Sequence, residues 1–254
     1  MARLFDGVQA NICWICREPG ANSKEHKVKA SDIKRQFRGA GMFVAAEGER
    51  GRPAQGPGSK HLKFQVPICH TCNTTRTQSA DRAYDRVVRA VEQTTINQSE
   101  IDAAVQACLR QGDGGAFRYF GKLLGCQIAD AGHPIPRRLG RFVAGEVRNA
   151  PLHLWARPDA TYAEMTSERG GDIQYAAHGG LVIITKKPKF LPVGYASTTT
   201  IGPIQFHYRY SFGIFEKVAI RSCRDFTAEC ARAVVETPMT ALDHRKYGYT
   251  LSPE

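Results

Sequence analysis

Cys13-Trp14-Ile15-Cys16 and Cys69-His70-Thr71-Cys72-Asn73 are the two stretches that decide how this chain is read. A Cys-x-x-Cys turn sets two thiols on one side of a tight bend. Two such turns supply four sulfurs, the full tetrahedral set for a structural Zn²⁺. Fifty-two residues separate the pairs. Accidental spacing or a redox dithiol would also produce a Cys-x-x-Cys, but two pairs are far more specific for metal than one. A four-sulfur site is closed, so its zinc holds the fold and does no chemistry. The other cysteines, Cys108, Cys126, Cys223 and Cys230, stand among apolar neighbours and read as small core residues.

Working outward, Glu25-His26-Lys27-Val28-Lys29-Ala30 reads as a short strand. Ser31-Asp32 reads as the cap of a short helix ending at Phe37. Residues 38–60 are rich in glycine, proline and charge, which predicts a flexible insertion. Alternation from His61 to Val66 predicts a strand stopped by Pro67. Beyond the second knuckle, Tyr84, Val87, Val88 and Val91 recur at helical spacing behind Ser79 as N-cap.

The order Cys-x-x-Cys, Glu-His, Cys-x-x-Cys-Asn resembles the zinc-containing HNH endonucleases, a treble-clef or ββα-metal family. The run from Cys69 to Asp85 looks like a bacterial and phage subgroup of it. The resemblance covers about residues 11–92. It implies His26 as the general base that activates water, and Glu25 at the acidic ligand position of a catalytic Mg²⁺ or Mn²⁺, where Asp is commoner. It implies Asn73 as a second ligand or as the group orienting His26, and Arg76 as a phosphate contact. Such a set suits the chemistry, because a divalent ion offsets phosphodiester charge while an imidazole takes a proton from water. Each residue has a plainer reading: Glu25-His26 as a surface turn, Asn73 as a helix cap, Arg76 as a solvated charge. The family often places a His or Asn eight or nine residues after the Asn. Here Asp81 and Arg82 stand there, which leaves Asp81 as a third ligand or as an ordinary first-turn acid. His61 and His70 are further candidates near the site.

The rest of the chain matches no motif. Ser99 with Asp102 imitates a capping box ahead of the stripe Ile101, Val105, Cys108 and Leu109. Phe117, Phe120, Leu123, Leu124 and Ile128 mark another helix. Strands are predicted at 152–157, 173–178, 181–186, 204–210 and 214–220, with a hairpin turn at Gly179-Gly180, and a last helix at 226–236. The expected class is α+β: a zinc-stapled ββα-metal domain over 1–95, a helical connector over 96–140, and an accessory α+β domain with an antiparallel sheet over 141–254.

Net charge is +11, with 16 Lys and Arg against 9 acids up to residue 95 and 19 against 15 beyond it. The excess gathers where the cysteine pairs lie and favours a polyanion, with DNA the expected partner. Basic clusters at Arg137, Arg138, Arg141 and at Lys186, Lys187, Lys189 would extend such a track, with Trp155 or Tyr208 placed to stack on bases, or else form solvated surface. No apolar run is long enough for a membrane span and no secretion signal is visible, so the expected setting is cytoplasmic. A freely active nuclease would harm its host, which leaves room for gating by a regulatory protein partner. The subgroup suggests phage defence or a mobile element. The competing reading is a catalytically silent zinc module that only binds DNA.

Overall fold

The computed structural model describes residues 4–38, 42–44, 52–94, 97–110, 114–171, 173–186 and 191–236. The chain opens with β1 (Phe5–Asp6), passes through the first cysteine turn, closed by an Ile12–Pro19 bridge, and enters β2 (Ala21–Ser23). Next come α1 (Ala30–Phe37), β3 (Met42–Val44), β4 (Arg52–Ala54) and a 3-10 turn at Lys60–Leu62. β5 (Ile68–Cys69) pairs antiparallel with β2. A π-helical turn, Cys72–Arg76, then leads into α2 (Gln78–Glu92). Two antiparallel segments followed by a helix thus frame both cysteine pairs.

Several local expectations are corrected here. Of the 38–60 segment, residues 39–41 and 45–51 lie outside the described residues; the described part includes an antiparallel pair, β3 with β4, and Met42 is buried. Residues 61–66 form no strand; apart from the 3-10 turn, Lys63 makes a single bridge to His26. Likewise 25–30 is not a strand but one bridge followed directly by α1. Lys29, not Ser31 or Asp32, precedes α1. Asp32 is fully buried instead, accepting from Tyr84 Oη at 2.6 Å and from Arg35 Nη2 at 2.7 Å. Thr77, not Ser79, precedes α2, and its Oγ1 donates to the Cys72 carbonyl at 2.9 Å.

α3 (Gln98–Arg110) starts on Asn97, whose Oδ1 accepts from Ser99 N and Oγ, in place of the Ser99–Asp102 box. α4 (Gly115–Asp130) is the central element, with Tyr119, Phe120, Leu123, Leu124, Cys126 and Ile128 all buried. It packs on α2, and its Phe120 ring lies 5.4 Å from Phe206 and 5.3 Å from Tyr208 in the sheet beyond. β6 (Ile135–Pro136) returns to pair with β1, and α5 (Arg137–Ala144) follows.

The C-terminal half contains β7 (Leu152–Pro158), α6 (Ala160–Arg169), β8 (Ala176–His178), β9 (Val182–Lys186), β10 (Leu191–Ile201), β11 (Ile204–Ser211), α7 (Ile214–Ala219) and α8 (Arg224–Glu236). The sheet order is β7-β11-β10, antiparallel throughout, and β8 and β9 share the outer edge of β10. β9 pairs with 191–196 and β8 with 199–201, so Gly179-Gly180 joins two strands lying end to end and makes no hairpin. Gly179 donates its N–H to Thr198 O at 2.9 Å, and a Cβ there would stand 2.2 Å from Thr198 Oγ1. Residues 214–220 are helical where a strand was expected. The Glu216 carboxylate accepts from Gly213 N at 2.8 Å and from Tyr210 Oη at 2.7 Å, which starts α7.

One continuous buried cluster runs from Cys13 to Cys230 and includes residues of all three sequence segments. The class is mixed α+β, as expected. Cys126 and Cys230 are buried in it, and Cys108 and Cys223 pack partly buried against it. Among the described residues, no helix is long and apolar enough to cross a membrane.

Candidate active site and zinc centre

The two knuckles meet. The sulfurs of Cys13, Cys16, Cys69 and Cys72 all lie within 4.8 Å of one another, with Cys13 and Cys72 buried. Cys16 Sγ and Cys69 Sγ are 3.7 Å apart. A tetrahedral zinc with Zn–S bonds of about 2.3 Å needs sulfurs about 3.8 Å apart, so the residues present fit the ion. The Cys72 N–H points at Cys69 Sγ at 3.3 Å, and Arg76 Nη1 lies 3.8 Å from Cys72 Sγ. These donors favour thiolate. Four thiols this close cannot all ionise without a cation. Cys13 is drawn down to about 4, chiefly by the hydrogen bond from Cys72, while Cys72 is pushed up by giving it.

The first knuckle is seated by two glycines. Trp14 lies flat against Gly125 of α4, where a Cβ would stand 2.1 Å from ring atom Cη2. A Cβ on Gly140 of α5 would come 3.1 Å from the Trp14 carbonyl. Helices from the middle of the chain therefore form the bed on which the first cysteine turn rests.

Glu25 and Asp81, expected as ligands of a catalytic ion, do come together, but around an ammonium. Lys122 Nζ lies 2.9 Å from Glu25 Oε2, 3.0 Å from Asp81 Oδ1 and 3.3 Å from Thr77 Oγ1. Lys122 is 1 % exposed and Glu25 7 %. Burial works against charge on Lys122, but the two carboxylates outweigh it and raise its pKa. Burial pushes Asp81 up against the pull of Lys122. Asn73 makes a different contact, donating from Nδ2 to Ser23 Oγ at 2.8 Å. Glu25 and Asp81 are thus engaged by Lys122 and as arranged do not fit a catalytic Mg²⁺ or Mn²⁺, while the Asn73 contact occupies only its amide nitrogen. Among the described residues the four cysteines are the one group with metal-binding geometry.

His26 stands on the bridge to Lys63, half-buried. Its Nε2 lies 3.1 Å from the Pro57 carbonyl. A carbonyl only accepts, so Nε2 carries the proton in the neutral ring and Nδ1 is the basic nitrogen. Burial, partly offset by the Glu25 charge, holds the imidazole below the usual histidine range and keeps it neutral at pH 7. Arg76 is exposed and lines a cavity of about 370 Å³ together with Asn22, Cys69, His70 and Thr71. His61 and His70 are both exposed.

The basic clusters are largely tied down. Arg137 Nε donates to Asp6 at 2.8 Å, Arg138 to the Asn149 carbonyl at 3.2 Å, and Arg141 pairs with Glu146 at 3.4 Å. Lys187 and Lys189 lie outside the described residues. Tyr208 is fully buried and cannot stack on a base, and Trp155 stacks on His207 with ring centroids 5.2 Å apart.

Sequence reasoning missed Lys122. A signal for it existed. It is the single charged residue in the run from Tyr119 to Ala129, and a lysine amid so many apolar neighbours needs buried partners.

In comparisons with known proteins, no family model, no curated protein and no solved structure matches this chain.

Proposed function

We propose that this chain is a zinc-stapled endonuclease of the HNH kind that hydrolyses phosphodiester bonds in DNA, with His26 as its general base. The observation that carries the reading is the His26 ring. It is held through Nε2–H on Pro57, neutral at pH 7, with Nδ1 as its basic nitrogen, in the segment of chain between the two cysteine pairs. In the proposed reaction Nδ1 takes a proton from water, the water oxygen bonds to phosphorus, and the bridging oxygen leaves with the P–O bonding pair and takes a proton from solvent, to which the imidazolium then returns its own. Arg76, exposed on the same knuckle, is assigned to a non-bridging phosphate oxygen. Zinc orders the two knuckles and takes no part in the reaction. Glu25 and Asp81 do not fit a divalent ion as arranged, so their proposed part is to hold the segment that carries His26. The net charge of +11 supports a polyanionic substrate.

The grip of Lys122 on both acids favours a second reading, a zinc module that binds DNA without cutting it. Incubating supercoiled plasmid with zinc-loaded protein separates the two. Nicking, assayed with Mg²⁺, with Mn²⁺ and with EDTA, supports the hydrolase. Salt-sensitive binding with the plasmid left intact under all three conditions supports the silent module.

A further inference from the structure

We propose that Lys122 is a built-in cation of the site, occupying the position between Glu25 and Asp81 that a divalent ion would take, so that this acidic pair binds no metal in the native protein. An ammonium has three protons, and here three acceptors surround it: Glu25 Oε2, Asp81 Oδ1 and Thr77 Oγ1. Thr77 gives its own proton to the Cys72 carbonyl, so its oxygen has a lone pair for Lys122. The cluster is saturated, and at 1 % exposure the lysine has no route to water without unpacking α4. The Tyr119 ring, 5.2 Å from Nζ, adds a π face on one side. A divalent ion bridging the two carboxylates would have to sit about 2.0–2.1 Å from their oxygens. That is the space Nζ fills, and a second cation there would face the ammonium charge at contact distance. Lys29 adds further positive charge, with Nζ 2.8 Å from both the Asp81 carbonyl and Asp85 Oδ1.

The arrangement also positions the proposed base. Glu25 is held by Lys122 through its side chain, and its carbonyl accepts from Phe64 N at 3.0 Å, which fixes the backbone that presents His26. Lys122 is therefore a positioning residue contributed by α4, far along the chain from the knuckles.

The inference rests on the proposed hydrolase only for the identity of the ion expected there, and it is tested without any cleavage assay. Free Mn²⁺ is counted by electron paramagnetic resonance during titration of the zinc-loaded full chain. Four proteins are compared: native, Glu25→Gln, Lys122→Met, and Lys122→Met with Glu25→Gln. The native protein and Glu25→Gln are expected to give superimposable titrations. Lys122→Met is expected to gain an Mn²⁺ site at least tenfold tighter than any in the native chain, lost again in the double variant. A native chain that binds one Mn²⁺ and loses it in Glu25→Gln overturns the proposal. A folded Lys122→Met with no gain also overturns the claim that the lysine excludes the ion. If Lys122→Met does not fold, the native and Glu25→Gln titrations still decide. Failure of the hydrolase reading would show instead as intact plasmid, which leaves these titrations unchanged.

Discussion

The knuckle region and the C-terminal sheet keep their shape by different means. Each strand before residue 70 is two or three residues long, so backbone pairing alone orders little there. That region depends on four sulfurs, on Trp14 against Gly125, and on the buried Lys122–Glu25–Asp81 cluster. In the sheet, β10 pairs with β11 from Gly194–Ser211 to Ile201–Ile204, and β11 pairs with β7 from Ile204–Pro158 to Tyr210–Leu152. Phe206, Tyr208 and Tyr210 are all buried there, so long ladders and aromatic burial hold it without a metal. The half proposed to do chemistry is thus the one with short strands, a candidate metal site and buried polar contacts, while the half without a motif has the long ladders.

The largest expected effect separates the halves outright. Cys72→Ser, or removal of zinc with a strong chelator, should abolish order around both knuckles, because zinc binding is the folding energy of such turns. The sheet should persist, read as retained strand circular dichroism with loss of amide protection confined to residues before 95. Simultaneous loss of both regions in one transition would mean that they are not separately held.

A smaller effect is expected from Gly125→Ala, which drives a methyl into the Trp14 ring. Overpacking of this kind costs about 1–3 kcal/mol. The readout is denaturant unfolding followed by Trp14 fluorescence in a Trp155→Phe background. An unchanged midpoint would show that the knuckle does not rest on α4.

The sheet has its own weak point, and it is acid-sensitive. His207 is 1 % exposed, its Nε2 has no hydrogen-bond partner among the described residues, and burial followed by the Arg157 charge lowers its pKa to about 3. The unfolded chain binds the proton near pH 6.5, so stability is full above that and falls as pH drops toward 3. His207 contributes about 1.4 kcal/mol per pH unit to the slope, and His178 of the same sheet, lowered by burial to about 3, adds a second contribution of the same sign. His207→Gln, compared with the native chain between pH 7 and 4, should flatten this slope. A slope unchanged by the substitution would remove His207 as its source.

Legibility in the sequence follows the same divide. The cysteine pairs could be read because metal chemistry restricts both residue type and spacing, and the α2 and α4 stripes because a helix buried on one side repeats. β10 was not read. Its sequence, Leu191–Ile201, carries Ser197, Thr199 and Thr200 at buried positions, where hydrogen bonds to Gly179, Tyr208 and Asp159 replace apolar alternation. The 214–220 stretch looks apolar enough for a strand, yet Ile214, Phe215 and Val218 are exposed, and the Glu216–Gly213 contact selects a helix. At the site, Glu25 and Asp81 stand out in the sequence as an acidic pair, but they meet around Lys122, and no local pattern links residue 122 to residues 25 and 81.

The central claim, that His26 is the base of a zinc-stapled hydrolase, is tested most directly by His26→Ala in a plasmid-nicking assay with zinc content and DNA affinity measured on the same preparation. In the proposed account zinc would be ligated by sulfur alone and DNA affinity would come chiefly from phosphate contacts, so both should match the native chain. Nicking should fall about 10²–10⁴-fold, the usual worth of a general base. Nicking at the native rate, or loss of zinc together with activity, would contradict the assignment.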